Sequence, residues 1–597
     1  MSSEQRKVPR HVMLRSAQGD NSPTGSGEAR VLVIGLDGAT FDLLKPLAAK
    51  GIMPNLSRFM SSGFQSVLQS TVPPITAAAW TTFITGKNPG KHGILQFVDI
   101  RPSPPTPLPN RERGWGKGGI EVFPGGFSVL NARSIRERTL WQLISEAGKR
   151  LIVINVPMTY PPTPLHGLMI ACMLTPPGAK DFTYPPSLAE RLPGYEIDLA
   201  LHEREFGFPA DAFLDRLFAV TEKRFQACLR LMGEEAWDFF MVVFTGTDRI
   251  QHRFWRYLDE NAPEYNAPQA RRLRPRLEGY YHRLDAMIGE LMHRAGKETL
   301  TIVLSDHGFG PMARFNVYKS ALLRELGLAP ARGNWAVLLR ATLERFGFSR
   351  DRIYRIIGRI LPRRWLAGAM QRVRDTERRT WREGAAFIPT LHSYIGGLAF
   401  NEEIIKKRFS LTTEESYERF RQAVKAKLED LRDPLTGGRI VSRVAWREEL
   451  YQGPRVDEFP DLIFLLGPQY MLVGGRGRTG RLVEAKTDEP ERQGSHRAEG
   501  ILLVSGPGVQ QAMGRSEAGL ADVSVTLLYA LGIPIPTDMD GKVIAEAFAP
   551  AYLDSYPIAY QEPSGSKPVA GSTDELWESV EDAQKVEDRL RGLGYID

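Results

Sequence analysis

Several stretches of the chain are continuously apolar and end in small or acidic residues. They are VLVIGLDG at 31–38, RLIVINVP near 150, DFFMVVFTGTD near 238, TLTIVLSDHG near 299, DLIFLLG near 461 and GILLVSGPG near 500. A run without polar alternation suits a strand buried on both faces, as in parallel sheets. Segments of helical spacing separate these runs, among them RTLWQLISEAGK and PRLEGYYHRLDAMIGELMHRAG. Strands alternating with helices predict an α/β fold, a mostly parallel central sheet with helices on both faces. Ligands of such sheets bind beyond the carboxyl ends of the strands, so chemistry is sought there.

Three segments break the pattern. Residues 1–29 are polar and rich in Ser, Gly and Arg, and are expected to be disordered. Residues 101–127 are dense in Pro and Gly and read as an exposed loop. Residues 331–384 carry 14 Arg against 5 acids, a local net of 14 − 5 = +9, at roughly helical spacing. The expected organisation is a catalytic core over 30–330, an Arg-rich helical insertion over 331–390, a second part of the core over 391–550, and a linker with a helical tail over 551–597. The insertion reads as a cap over the cleft; contact with an anionic membrane surface or a protein partner is the alternative. SYIGGLAF at 393–400 is placed in a small subdomain with DLIFLLG, without assigned chemistry.

Bulk properties add little. The 597-residue chain carries a net charge of +7, which suits anionic substrates and says nothing of fold. No nucleic-acid recognition motif accompanies that charge. Cys172 and Cys228 lie in apolar contexts, and no secretory h-region or 18-residue apolar run occurs, so a cytoplasmic location is expected.

Acids and histidines gather at the strand ends. Asp37 ends the first run, Asp248 ends MVVFTGTD with His252 four residues on, Asp306 and His307 end TIVLSDH, and His496 precedes the last run. One Asp after a strand is ordinarily a cap or turn residue. So many at strand ends point instead to a metal centre, and mixed carboxylate and imidazole ligation suits Zn²⁺, with Mn²⁺ or Fe as competitors. The His307 neighbourhood, DHGFG, is expected to be an irregular loop. Thr76 opens the apolar helical segment TAAAWTTFITG. It reads either as a helix N-cap or as a nucleophilic hydroxyl at a helix N-terminus, where the dipole favours phosphate.

The ordered set LDGATFD, MPNLSRFMSSG, PPITAAAWTTFITGKNPGKHGI, TGTDRIQH, SDHGFGPM and GSHR resembles the alkaline phosphatase superfamily, and within it the type I phosphodiesterase/nucleotide pyrophosphatase group. The resemblance covers about 30–100, 135–315 and 390–548. It implies two divalent metal ions. Asp37, Thr76, Asp306 and His307 match the ligands of one, and Asp248, His252 and His496 those of the other. It further implies in-line attack by Thr76 on a small phosphorylated substrate, a phosphothreonine intermediate and its hydrolysis. Lys87, Lys91 and Arg497 are candidates for contacting phosphoryl oxygens. A phosphomonoesterase or a phosphomutase on the same core is the alternative, although 95–135 is short for the mutases' inserted domain. A non-catalytic metal-binding protein is a third reading. Sulfatase chemistry is disfavoured, since Thr76 cannot become formylglycine.

Overall fold

The computed structural model describes residues 30–99, 129–199, 209–329, 384–474, 480–486, 492–514, 517–563 and 576–592. The expectations for 1–29, 101–127 and all but the last residue of 331–384 fall outside these residues.

The central sheet is ten-stranded. Its early strands are β1 (Arg30–Leu36), β2 (Phe64–Gln69), β3 (Leu151–Ile154), β4 (Gly167–Ile170), β5 (Thr183–Tyr184), β6 (Phe239–Phe244) and β7 (Thr299–Leu304). Strands β1, β3, β4, β6 and β7 run parallel, with β1 between β6 and β7. All six residues of β6 and of β7 are buried, as a strand covered on both faces requires.

The two faces divide by residue parity. Val31 and Val33 of β1 join the core under helix α3 (Thr76–Thr85), while Leu32, Ile34 and Leu36 join the core on the other side. Helix α1 (Phe41–Ala49), α2 (Pro54–Ser62), α6 (Ala210–Glu234), α7 (Gly246–Leu258) and α8 (Pro268–Ala295) cover that second face. The expected layered α/β architecture is therefore present.

Two apolar runs depart from the parallel expectation. The 499–505 segment lies between β7 and β2 and is antiparallel to both. A continuous apolar run reports burial of both faces and leaves strand direction to the connections. The run at 462–466 lies outside the central sheet. It pairs antiparallel with the strands at 395–400 and 441–446 in a separate five-stranded sheet. That sheet has its own apolar core, shared with the helices Glu402–Arg408 and Glu414–Glu429.

Near the chain's end, Trp577, Ala583, Val586 and Leu590 bury against the α3 side of the main core. The Trp577 indole N–H donates to the Val129 carbonyl at 2.7 Å, and Arg589 donates to the carbonyls of Met173 and Thr175. No described helix is long and apolar enough to cross a membrane.

Candidate active site

Most of the chemistry-bearing side chains lie just beyond the ends of central-sheet strands. Asp37 follows β1, and its backbone N–H still bonds the Phe244 carbonyl of neighbouring β6. The next residue, Gly38, turns the chain with φ +67°, a left-handed value that costs a side-chain-bearing residue energy. The turn aims the Gly38 N–H at Asp306 Oδ1, 3.2 Å away at the end of β7. Helix α7 begins directly after β6. Asp248 and His252 are one turn apart on it and share a face. His307 leads into a short strand, Gly308–Pro311, which pairs antiparallel with Gly494–Arg497 and sets His496 opposite Phe309. The expected irregular loop at DHGFG is thus only a two-residue bend followed by a strand.

Thr76 is the first residue of α3, and the extended Ile75 occupies the cap position. Its hydroxyl therefore does not cap the helix. Oγ1 instead lies 3.3 Å from His307 Nε2.

Two groups of potential ligands result. In the first, His252 Nε2 and His496 Nε2 are 3.1 Å apart, and Asp248 Oδ1 is 3.4 Å from the former and 3.2 Å from the latter. Bonds of about 2.0–2.1 Å to a tetrahedral cation would place its ligand atoms about 3.3–3.4 Å apart, which these separations approach. In the second, His307 Nε2 is 3.6 Å from Asp37 Oδ1 and 3.4 Å from Asp306 Oδ2. Asp248 stands near both groups.

The imidazoles are oriented by their far nitrogens. His252 Nδ1 donates to the Gly494 carbonyl at 3.1 Å, His496 Nδ1 to the Pro74 carbonyl at 3.1 Å, and His307 Nδ1 to the Gly308 carbonyl at 3.0 Å. A carbonyl only accepts, so each neutral ring carries its proton on Nδ1 and turns a lone pair on Nε2 inward.

The carboxylates match that arrangement. Both Asp37 oxygens and Asp306 Oδ2 are fully buried without a hydrogen-bond partner among the described residues. Such atoms are costly unless something cationic or protonated satisfies them. Burial, then the charges of Asp306 and Asp248, hold the Asp37 carboxyl well above the usual carboxylate range. Burial pushes Asp306 up to about 8 against the Gly38 N–H, with Asp248 adding to the rise. Burial also opposes ionisation of Asp248, but His252, His496 and the Arg249 guanidinium outweigh it and hold that carboxyl low. Burial takes His252 down to about 3 and His307 well below its ordinary value. Orphaned carboxylate oxygens beside inward imidazole lone pairs are the donor set of a hard or borderline divalent cation, so these residues fit one.

All seven residues expected at a metal centre thus face one another. The three candidate phosphate contacts fare differently. The Lys87 ammonium is held by Glu137 at 2.6 Å and Asp538 at 2.5 Å, and Lys91 by Asp540 and the Asp538 carbonyl. Arg497 braces the backbone, donating to the His496 carbonyl at 2.7 Å and the Pro311 carbonyl at 2.6 Å. These three cations are therefore already engaged within the chain.

Two features escape a reading of the sequence. Arg249 bridges Asp248 to the buried Asp198. His392, on the second sheet, stacks on His496 with ring centroids 4.8 Å apart. A lone Arg beside an Asp and a lone His in a short strand carry no pattern that would single them out.

Residues 31–499 match the family model for type I phosphodiesterase/nucleotide pyrophosphatase. The chain belongs to this family. As a type I phosphodiesterase/nucleotide pyrophosphatase family member it is a hydrolase of phosphoric ester bonds. Among solved structures it is similar to phosphonoacetate hydrolase from Sinorhizobium meliloti 1021 in complex with phosphonoformate, with 16% identity, a TM-score of 0.48, and coverage of 85% of this chain and 96% of that one. It is also similar to murine ectonucleotide pyrophosphatase/phosphodiesterase 5, with 11% identity, a TM-score of 0.44, and coverage of 87% and 100%. A comparison with curated proteins gives no match.

Proposed function

We propose that this family member cleaves small phosphorylated substrates by nucleophilic attack of Thr76 on phosphorus, assisted by two divalent cations, with Zn²⁺ the best match to the ligands. Asp37, Asp306, His307 and Thr76 would hold one cation, and Asp248, His252 and His496 the other. Bound there, the cations supply Lewis-acid charge to phosphoryl oxygens and acidify the attacking groups.

The chain's own part is positioning. The observation that carries the reading is the Thr76 hydroxyl, buried at the first residue of α3 and 3.3 Å from His307 Nε2. The helix N-terminus directs partial positive charge at an incoming phosphate. Attack forms the Thr76 Oγ1–P bond as the P–O bond to the leaving alcohol or phosphate breaks, and the leaving oxygen gains a proton. Water then attacks the phosphothreonine, releases phosphate or a phosphomonoester, and returns the proton to Oγ1.

The test is turnover of bis-p-nitrophenyl phosphate and p-nitrophenyl phosphate by Zn²⁺- or Mn²⁺-loaded protein. Loss of a nucleophile from a unit of this kind costs at least ~10³-fold in kcat. Thr76→Ala is expected to show that loss while still binding metal. Parent-level turnover in Thr76→Ala ends the nucleophile assignment, and the ratio of the two substrates decides between diester and monoester preference.

A further inference from the structure

The second sheet reaches the site through one hairpin. Its strands Thr390–His392 and Ile395–Phe400 are joined by only Ser393 and Tyr394, with His392 paired to Ile395. The tip packs against the strand Gly494–Arg497. His392 stacks on His496, Ser393 Oγ meets Ser495 Oγ at 2.8 Å, and Tyr394 lies under the Arg497 guanidinium, 5.3 Å from its ring centroid. The Ser393 carbonyl is further tied to the Leu472 N–H at 2.6 Å. Three consecutive contacts and a backbone bond fix where the His392 ring stands.

That ring is half-buried, and it is unlike the other three imidazoles. It stands outside both groups of convergent ligand atoms. Its Nδ1 faces the Ser393 hydroxyl at 3.3 Å, and among the described residues its Nε2 has no hydrogen-bond partner. When Nδ1 accepts from that hydroxyl, the ring proton sits on Nε2. An N–H is thus left over beside His496, while the neighbouring Arg497 is already taken up by backbone carbonyls.

We propose that His392 is a substrate-contacting residue whose Nε2–H donates to a non-bridging phosphoryl oxygen on the His496 side of the site. This inference rests on the reading of the site as a phosphoryl-transfer centre. A pre-aimed donor is worth most where charge develops on such an oxygen during transfer. The second sheet then supplies part of the phosphate recognition.

Full-length metal-loaded protein carrying His392→Phe or His392→Gln tests this, with inorganic phosphate as the probe in calorimetry. Phenylalanine preserves the stacking on His496 and removes the donor, whereas glutamine restores an N–H. One neutral hydrogen bond corresponds to a change of roughly tenfold or less. His392→Phe is expected to bind phosphate roughly tenfold more weakly with unchanged metal content and melting temperature, and His392→Gln to recover most of that loss. The kcat/KM for bis-p-nitrophenyl phosphate follows the same order. Parent-like phosphate affinity in His392→Phe overturns the proposal, as does loss of phosphate affinity that merely parallels loss of metal. If the parent binds phosphate but hydrolyses neither ester, weaker phosphate binding by His392→Phe still supports the contact while the hydrolase mechanism fails.

Discussion

The Arg249 guanidinium donates to Asp248 Oδ2 at 2.9 Å and lies 3.2 Å from Asp198 Oδ2, with all three side chains almost wholly shielded from water. Two buried carboxylates flank one cation, so the guanidinium is the permanent counter-charge of a candidate metal ligand. Breaking a buried pair from one side costs about 3–5 kcal/mol, because the abandoned charge keeps its desolvation penalty. Arg249→Met is therefore expected to lose about that much stability in chelated protein, read as a lower urea midpoint. The loss shrinks when Zn²⁺ is present, since a bound cation next to Asp248 takes over part of the compensation. Equal losses with and without metal would mean that Arg249 serves Asp198 alone.

Helix α3 reaches the site because β1 lets it come close. Gly35, next to last in β1, is where Trp80 of α3 lies. A Cβ there would stand 2.7 Å from the Trp80 ring and 2.8 Å from Val243 Cγ2. Trp80 is fully buried, so the ring has nowhere to yield. Overpacking of this kind costs about 1–3 kcal/mol. Gly35→Ala is expected to lower the melting temperature and to push α3 outward, carrying Thr76 away from His307. Turnover should then fall more than metal binding does, which parallel assays of both would show. Elements such as β1, β6 and β7 were legible in the sequence because burial on both faces removes nearly every polar position. The same signal is silent about partners. It could not tell that Glu499–Ser505 runs antiparallel or that Leu462–Leu466 belongs to another sheet. The Gly308–Pro311 strand was invisible, since GFGP has one strand former among two glycines and a proline and exists through pairing with residues 494–497. Thr76 was readable as the start of a helix. Whether its hydroxyl turns to its own backbone or to a His 231 positions away is a tertiary matter. His392 acquires meaning only once the hairpin tip lies on the His496 strand.

Across the whole molecule, side chains from position 37 to position 496 meet in one buried cluster, so the protonation of that cluster bears on the stability of the entire core. In chelated protein Asp306 titrates near 8, whereas an unfolded Asp titrates near 3.9. Between these values the folded chain holds a proton that the unfolded chain has released. Stability changes with pH in proportion to the protons bound by the unfolded state minus those bound by the folded one, and that difference is negative here. The group's contribution is thus intact below about pH 4 and drains away as pH rises through about 8. The Asp37 carboxyl, also raised, acts in the same direction. A divalent cation replaces the proton with a charge that favours ionised carboxylates, so metal uptake near neutral pH must expel protons. Calorimetric titration with Zn²⁺ at pH 7, in buffers of different ionisation enthalpy, is expected to reveal release of about one proton or more. His252 and His307, whose folded values are depressed, act oppositely and add stability as pH rises towards about 6.5. Urea midpoints of chelated protein should therefore fall between about pH 7 and pH 8, and those of metal-loaded protein should change far less. If the chelated midpoint climbs over that range, Asp37 and Asp306 are already ionised without metal. Some other cation of the chain must then neutralise them, and the two carboxyls would no longer need a metal to complete the site.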